Sequence, residues 1–100
     1  MNLNETFKML EIKKTKRFEK SYKKVKHKKR IIEELKIVVQ ILIQQEQLPV
    51  KYRDHELKGK LVGIRELHLG FDDLLLYFIR NEHNELVLVD IGTHAHTLGI

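Results

Sequence analysis

His55, His68, Asp72, His94 and His96 all fall in the second half of a 100-residue chain, set among apolar, strand-like sequence. Imidazole gains and loses a proton near neutral pH, so several gathered by one fold can move protons in both directions. A chain of this length buries a single core, and polar groups set repeatedly into its strands therefore point to one shared site. Three uses compete for them. Each histidine can be a surface or hydrogen-bonded residue with no chemistry. His94-Ala-His96 can offer two imidazoles on one strand face, with His68 or Asp72 completing a metal site, although no tight cluster supplies the further ligands. Or the histidines can serve acid–base catalysis, such as phosphodiester cleavage at an RNA 2′-hydroxyl, with Arg65 and Lys51 offsetting charge on the phosphorane-like transition state.

Composition narrows the field. The absence of cysteine excludes disulfides, thiolate metal sites and a cysteine nucleophile. No signal-like run opens the chain, and the apolar stretches Ile37 to Ile43 and Leu74 to Ile79 are too short to span a bilayer, so a cytoplasmic protein with no membrane partner is expected. The net charge of +5 is unevenly held: residues 1–30 carry twelve Lys/Arg against three acids, and residues 31–100 carry seven against eleven. A basic block of this kind attracts polyanions, so nucleic acid or an acidic protein segment is the expected partner.

The elements that must position the site follow from periodicity. Residues 1–100 read as a single domain. Phe7 to Lys13 alternates as a short strand at a sheet edge. Thr15 can cap a basic helix with Phe18, Tyr22 and Val25 on one face. Ile31, Leu35, Val38 and Leu42, widened by Ile32, Val39 and Ile43, form the buried stripe of a second helix, antiparallel to the first. Pro49 opens a polar loop that runs to Lys60. Leu61 to Leu69, Leu74 to Arg80 and Leu86 to His94 then read as three strands of an antiparallel meander, the middle one apolar on both faces. The fold class is α+β: two N-terminal helices on a small antiparallel sheet, in the order β-α-α-β-β-β. In the first of those strands Glu66 and His68 share a face with Val62 and Ile64. In the last, Leu86, Leu88, Asp90, Gly92, His94 and His96 share a parity if the strand stays regular.

Four ordered motifs carry a resemblance that covers essentially the whole chain. Tyr52-Arg53-Asp54-His55-Glu56-Leu57-Lys58-Gly59, Gly63-Ile64-Arg65-Glu66-Leu67-His68, Asp72-Asp73-Leu74-Leu75-Leu76-Tyr77 and Gly92-Thr93-His94 together resemble the YafQ-type branch of the RelE superfamily of toxin–antitoxin toxins. The resemblance implies a RelE-like fold and a metal-independent, ribosome-dependent endoribonuclease without cofactors, cutting mRNA in the A site. It also implies contact with ribosomal RNA, neutralisation by a cognate antitoxin protein, and operator DNA reached only through the antitoxin complex. Carried over by position, His94 is the general acid, while His55, His68 or Asp72 deprotonates or orients the 2′-hydroxyl. Glu66 orients His68 or a charged neighbour, or else pairs with Arg53 or Arg65. Lys51, Arg53, Arg65 and Leu98 fall where RNA contacts are expected.

Two positions depart from the family pattern. Glu56 stands where many relatives have proline, which loosens the loop. Leu98 replaces a phenylalanine on which a base could stack. His96 lies outside the pattern altogether. The other readings are a catalytically weak relative that only occupies the ribosome or binds its antitoxin, and a metal-dependent hydrolase.

Overall fold

The computed structural model describes residues 9–98, with the side chain of Leu98 and all of Phe7 and Lys8 outside the described residues. Helix α1 (Lys16–Val25) opens on Thr15, whose hydroxyl oxygen accepts the Phe18 N–H at 2.9 Å. Helix α2 (Lys29–Ile43) buries Ile31, Leu35, Val38, Leu42 and Ile43, the stripe that periodicity marked.

Five strands follow the order β1-β5-β4-β3-β2. They are β1 (Glu11–Lys14), β2 (His55–Glu56), β3 (Arg65–His68), β4 (Leu74–Arg80) and β5 (Glu85–Gly92). The apolar β4 takes the centre and the lysine-bearing β1 an edge, as their residue patterns require. The sheet is mixed, because β1 runs parallel to β5 while all other pairs are antiparallel. Alternation within a strand carries no information on the direction of its partner, and β1 and β5 are joined by nearly the whole chain.

The strand expected to begin at Leu61 starts only at Arg65. Gly59–Leu61 forms a 3-10 turn and Gly63 takes a φ of +94°, a conformation that glycine reaches without strain, so Val62 and Ile64 do not share a strand face with Glu66. Beyond Gly92 the chain turns into a short helix, α3 (His94–Leu98), instead of prolonging β5. Thr93 closes its first turn, its carbonyl oxygen accepting the Thr97 N–H at 2.9 Å and its hydroxyl oxygen accepting the His96 N–H at 3.3 Å.

The register decides which side chains meet. Leu67, Leu75 and Ile91 stand in one cross-strand row and belong to the core with Phe18, Leu35 and Val38. The rows on either side, Glu66–Leu76–Asp90 and His68–Leu74–Gly92, must point to the opposite face. Leu86 and Leu88 are core residues too, so the parity expected along β5 breaks between Leu88 and Asp90. The break is a bulge at Val89, which stands between Leu88, opposite Tyr77, and Asp90, opposite Leu76. Thr15 holds it in place by donating its hydroxyl to the Val89 carbonyl at 2.7 Å.

The bulge delivers Asp90, fully buried, to a polar knot that ties α1 and α3 to β5. One carboxylate oxygen accepts Arg17 Nε at 2.8 Å, and the other accepts the Ile91 N–H at 2.9 Å and lies 3.4 Å from His96 Nε2. The same His96 nitrogen is 2.8 Å from the Ser21 hydroxyl. Serine and aspartate both face one nitrogen of this imidazole, so the trio lacks the relay geometry of a nucleophilic triad and acts as a fastening. Asp90→Ala removes an acceptor from three donors at once and is expected to lower the unfolding free energy by about 3 kcal/mol. Asp90→Asn, which keeps an acceptor oxygen, should lose less, and equilibrium urea denaturation would measure both.

Candidate active site

Glu66 stands on β3, beside the edge strand β2, on the face opposite the Leu67–Leu75–Ile91 row, and is 4% exposed. One of its oxygens is shared by two imidazoles, His55 Nε2 and His68 Nε2, each at 3.5 Å. Its other oxygen is buried and has no hydrogen-bond partner among the described residues. The distances follow from register, since β2 places His55 directly opposite Glu66, and the strand period of two returns His68 to the same face.

His94 enters from the first turn of α3. Asp72, in the turn between β3 and β4, accepts His94 Nδ1 at 2.6 Å and the His94 backbone N–H at 3.3 Å. That carboxylate therefore both caps the short helix and selects which ring nitrogen carries the proton. The hydrogen bonds from His94 hold the Asp72 carboxyl below its ordinary range. The His94 ring centroid lies 5.7 Å from that of His68, which lies 6.4 Å from that of His55. A carboxylate oxygen of Glu66 and one ring nitrogen each of His68 and His94 fall within 4.8 Å of one another. Burial, followed by the nearby Arg53 guanidinium, pushes the His68 imidazole below its ordinary value, so it is neutral at neutral pH.

The segment carrying His55 is held from two sides. Asp54 accepts Arg65 Nε and Nη2 at 3.1 and 2.7 Å through one oxygen and the Tyr77 hydroxyl through the other. Burial and the bond to Asp54 raise the Tyr77 phenol, and the same carboxylate raises Arg65. Upstream, Tyr52 donates to Glu34 of α2 at 2.6 Å, and burial together with that bond moves its phenol up to about 12. Arg53 turns the chain with a φ of +51°, and its carbonyl lies 2.8 Å from His55 Nδ1, leaving Nε2 to face Glu66.

Of the residues expected at a site, His55, Glu66, His68, Asp72 and His94 are brought together. Lys51 and Arg53 line an adjoining cavity of about 280 Å³ with His68. Arg65 is spent on Asp54, and Glu66 contacts histidines instead of an arginine. Glu56 is built into β2, opposite Arg65. Leu98 cannot be placed, its side chain being outside the described residues. The His94/His96 metal pair does not form: residues two apart on a helix point in different directions, and His96 turns to Ser21 and Asp90. Sequence reasoning missed the anchors Glu34, Asp54, Tyr77 and Asp90. Asp90 had a signal, an acid within the apolar run Leu86 to Ile91; Asp54 and Tyr77 stood within the quoted motifs, and Glu34 had none beyond its polarity.

Comparisons with known proteins show which family and fold the chain shares. A family model described as the YafQ bacterial toxin of type II toxin–antitoxin systems matches residues 10–99. A relative from Haemophilus influenzae bearing the YafQ toxin name is 33% identical over 61 residues, 59% of this chain and 60% of that protein, so the match spans less than two thirds of the relative. The crystal structure of a metal-bound toxin from Helicobacter pylori superposes with a TM-score of 0.81 at 39% identity, over 89% of this chain and 99% of that one. The E. coli DinJ–YafQ toxin–antitoxin complex gives 0.78 at 28% identity, over 91% and 99%.

The displaced titration of His68 has a measurable consequence. Below its ordinary value of 6.5 the unfolded chain binds a proton that the folded site resists, so this group's stabilisation is complete above 6.5 and declines as pH falls toward the folded value. His68→Asn should flatten that part of the profile, read from urea midpoints taken between about pH 5 and 7.5.

Proposed function

From its place in the YafQ family of type II toxin–antitoxin toxins, to which this chain belongs, we propose that it is a ribosome-dependent endoribonuclease that cleaves mRNA by acid–base attack of the 2′-hydroxyl. The observation that carries this reading is a buried Glu66 carboxylate with two imidazoles, His55 and His68, on one oxygen and a third, His94, held beside them by Asp72. The 2′-hydroxyl loses its proton to the Glu66–His68 pair as its oxygen attacks phosphorus. The bond from phosphorus to the 5′-oxygen breaks, and His94 protonates that leaving oxygen. The products are a 2′,3′-cyclic phosphate and a free 5′-hydroxyl. Asp72 keeps the His94 ring turned for this transfer, and His55 holds the carboxylate from its other side. Arg53 and Lys51 offset charge on the phosphorane-like transition state.

The basic α1, with two lysines in its last turn, suits a ribosomal RNA surface or an acidic antitoxin. Because the E. coli relative was solved with DinJ, an antitoxin partner is proposed here as well, with operator DNA bound only through that complex.

A second reading has one observation of its own. The Glu66 oxygen and the His68 and His94 nitrogens form an N/O donor set that suits zinc or copper, and the H. pylori relative was solved with metal bound. An ion held there would draw on the lone pairs that the acid–base reaction needs. Micromolar zinc or copper should therefore inhibit cleavage and a chelator should restore it, whereas loss of cleavage on chelation alone would make the enzyme metal-dependent.

Expression of the chain and His94→Gln in a translation extract, followed by mapping of mRNA ends, tests the main reading. The wild type should generate new ends that a 2′-deoxy residue at the cut position abolishes, and His94→Gln should slow their formation by about 100-fold or more. Equal cleavage by both proteins, or none from either, would refute it.

A further inference from the structure

Phe71 is fully exposed, and it is the only aromatic among the exposed large apolar side chains of the described residues. Floppiness does not account for it. The turn that carries it is closed by the Leu69 N–H donating to the Asp73 carbonyl at 2.7 Å. Asp72 on one side is bonded to His94, and Asp73 pairs with Lys28 at 3.0 Å. Gly70 presses so closely on α2 that a Cβ would lie 3.0 Å from Ile31 Cδ1. A phenyl ring is thus held out into water at the tip of a fixed turn, one residue from a carboxylate of the active site.

The ring borders the cavity of about 280 Å³ on whose wall His68 stands. Arg30, Lys51 and Arg53 line the same cavity, and none of the three forms an ion pair among the described residues. The acid on that wall, Glu34, is engaged by the Tyr52 hydroxyl. Unpaired cations beside an exposed aromatic face are the chemistry that holds single-stranded nucleic acid, the cations taking phosphate and the ring taking a base. The volume is at the small end for ligand pockets and suits a single nucleotide.

We propose that Phe71 and this cation-lined cavity form a nucleotide subsite, in which one unpaired base of the RNA stacks on the phenyl ring while Arg53 and its neighbours hold the adjacent phosphate. The subsite rests on the endoribonuclease reading and specifies how the strand is held beside Glu66, His68 and His94. Stacking is indifferent to base identity at first order, so the ring supplies affinity and placement more than sequence choice.

The chain has no tryptophan, so Phe71→Trp introduces a single fluorescent reporter at the ring's position. An uncleavable 2′-O-methylated RNA hexamer should quench that fluorescence, and an abasic nucleotide at one position should abolish the quench. Binding should be about tenfold weaker in Phe71→Ala and equally weak in Phe71→Leu, which stays apolar but cannot stack, while Phe71→Trp keeps wild-type affinity. In a translation extract the alanine and leucine variants should raise the RNA or ribosome concentration needed for half-maximal cleavage and leave the saturated rate nearly unchanged; where the hexamer binds only with the ribosome present, this comparison decides. Wild-type binding and cleavage by both variants would overturn the subsite and leave the nuclease reading standing. So would a loss of affinity confined to an antitoxin, which would make Phe71 a protein-docking residue. Absence of cleavage by the wild type would remove both.

Discussion

Burying the Glu66 carboxylate is the constraint on which the rest of the molecule is arranged. A carboxylate removed from water carries a large desolvation penalty unless charge or hydrogen bonds compensate it. Glu66 receives only partial compensation: two imidazoles at 3.5 Å on one oxygen, and no hydrogen-bond partner among the described residues on the other. Such a group persists only if its surroundings cannot collapse around it or turn it outward. The rows Leu67–Leu75–Ile91 and Glu66–Leu76–Asp90 provide this, because any rotation of β3 that freed Glu66 would withdraw Leu67 from the core.

Two fastenings complete the frame, and each uses an acid, half-buried Asp54 or buried Asp90, to hold an element that has little packing of its own. β2 has two residues, too few to stand by ladder bonds alone; Asp54 ties it to Arg65 and Tyr77 of the neighbouring strands. α3 has five residues, far below the length at which a helix is stable in isolation. It is held at its start by Asp72 and at its centre by the Ser21–His96–Asp90 contacts. Gly92 is part of the same device, since a Cβ there would lie 2.8 Å from the His96 ring. His94 and His96 therefore divide the labour of one short helix, the first facing the site and the second fixing the helix that presents it.

The helices, the apolar centre of the sheet and the sharing of one face by Glu66 and His68 were legible in the residues, because periods of 3.6 and 2 are set by local geometry. Three features were not. The parallel pairing of β1 with β5 depends on long-range topology. The bulge at Val89 inserts one residue into an unbroken apolar run, and that single residue reverses the side on which Asp90 falls. The helical turn after Gly92 replaces a strand continuation, and with it goes the face that His94 and His96 were expected to share. The grouping of His55, Asp72 and His94 around Glu66 came from motif resemblance, since nothing in their spacing brings a loop, a turn and a helix start to one place.

Three histidines of one site are made unequal by what each ring nitrogen meets. His55 is committed at Nδ1 to a backbone carbonyl and faces Glu66 with Nε2, more than half of its side chain in solvent. His68 is largely buried and feels the Arg53 cation, which together keep it unprotonated against the opposing pull of the same carboxylate. His94 gives Nδ1 to an aspartate that no other described side chain engages, and one of its ring nitrogens lies within 4.8 Å of the Glu66 oxygen and the His68 nitrogen. A reaction that removes a proton at one atom and returns one at another needs such inequality, because identical environments would leave neither group committed to a direction. The asymmetry arises from the elements themselves: an edge strand, a half-buried inner strand and a helix start expose an imidazole to different partners, whatever chemistry is then performed among them.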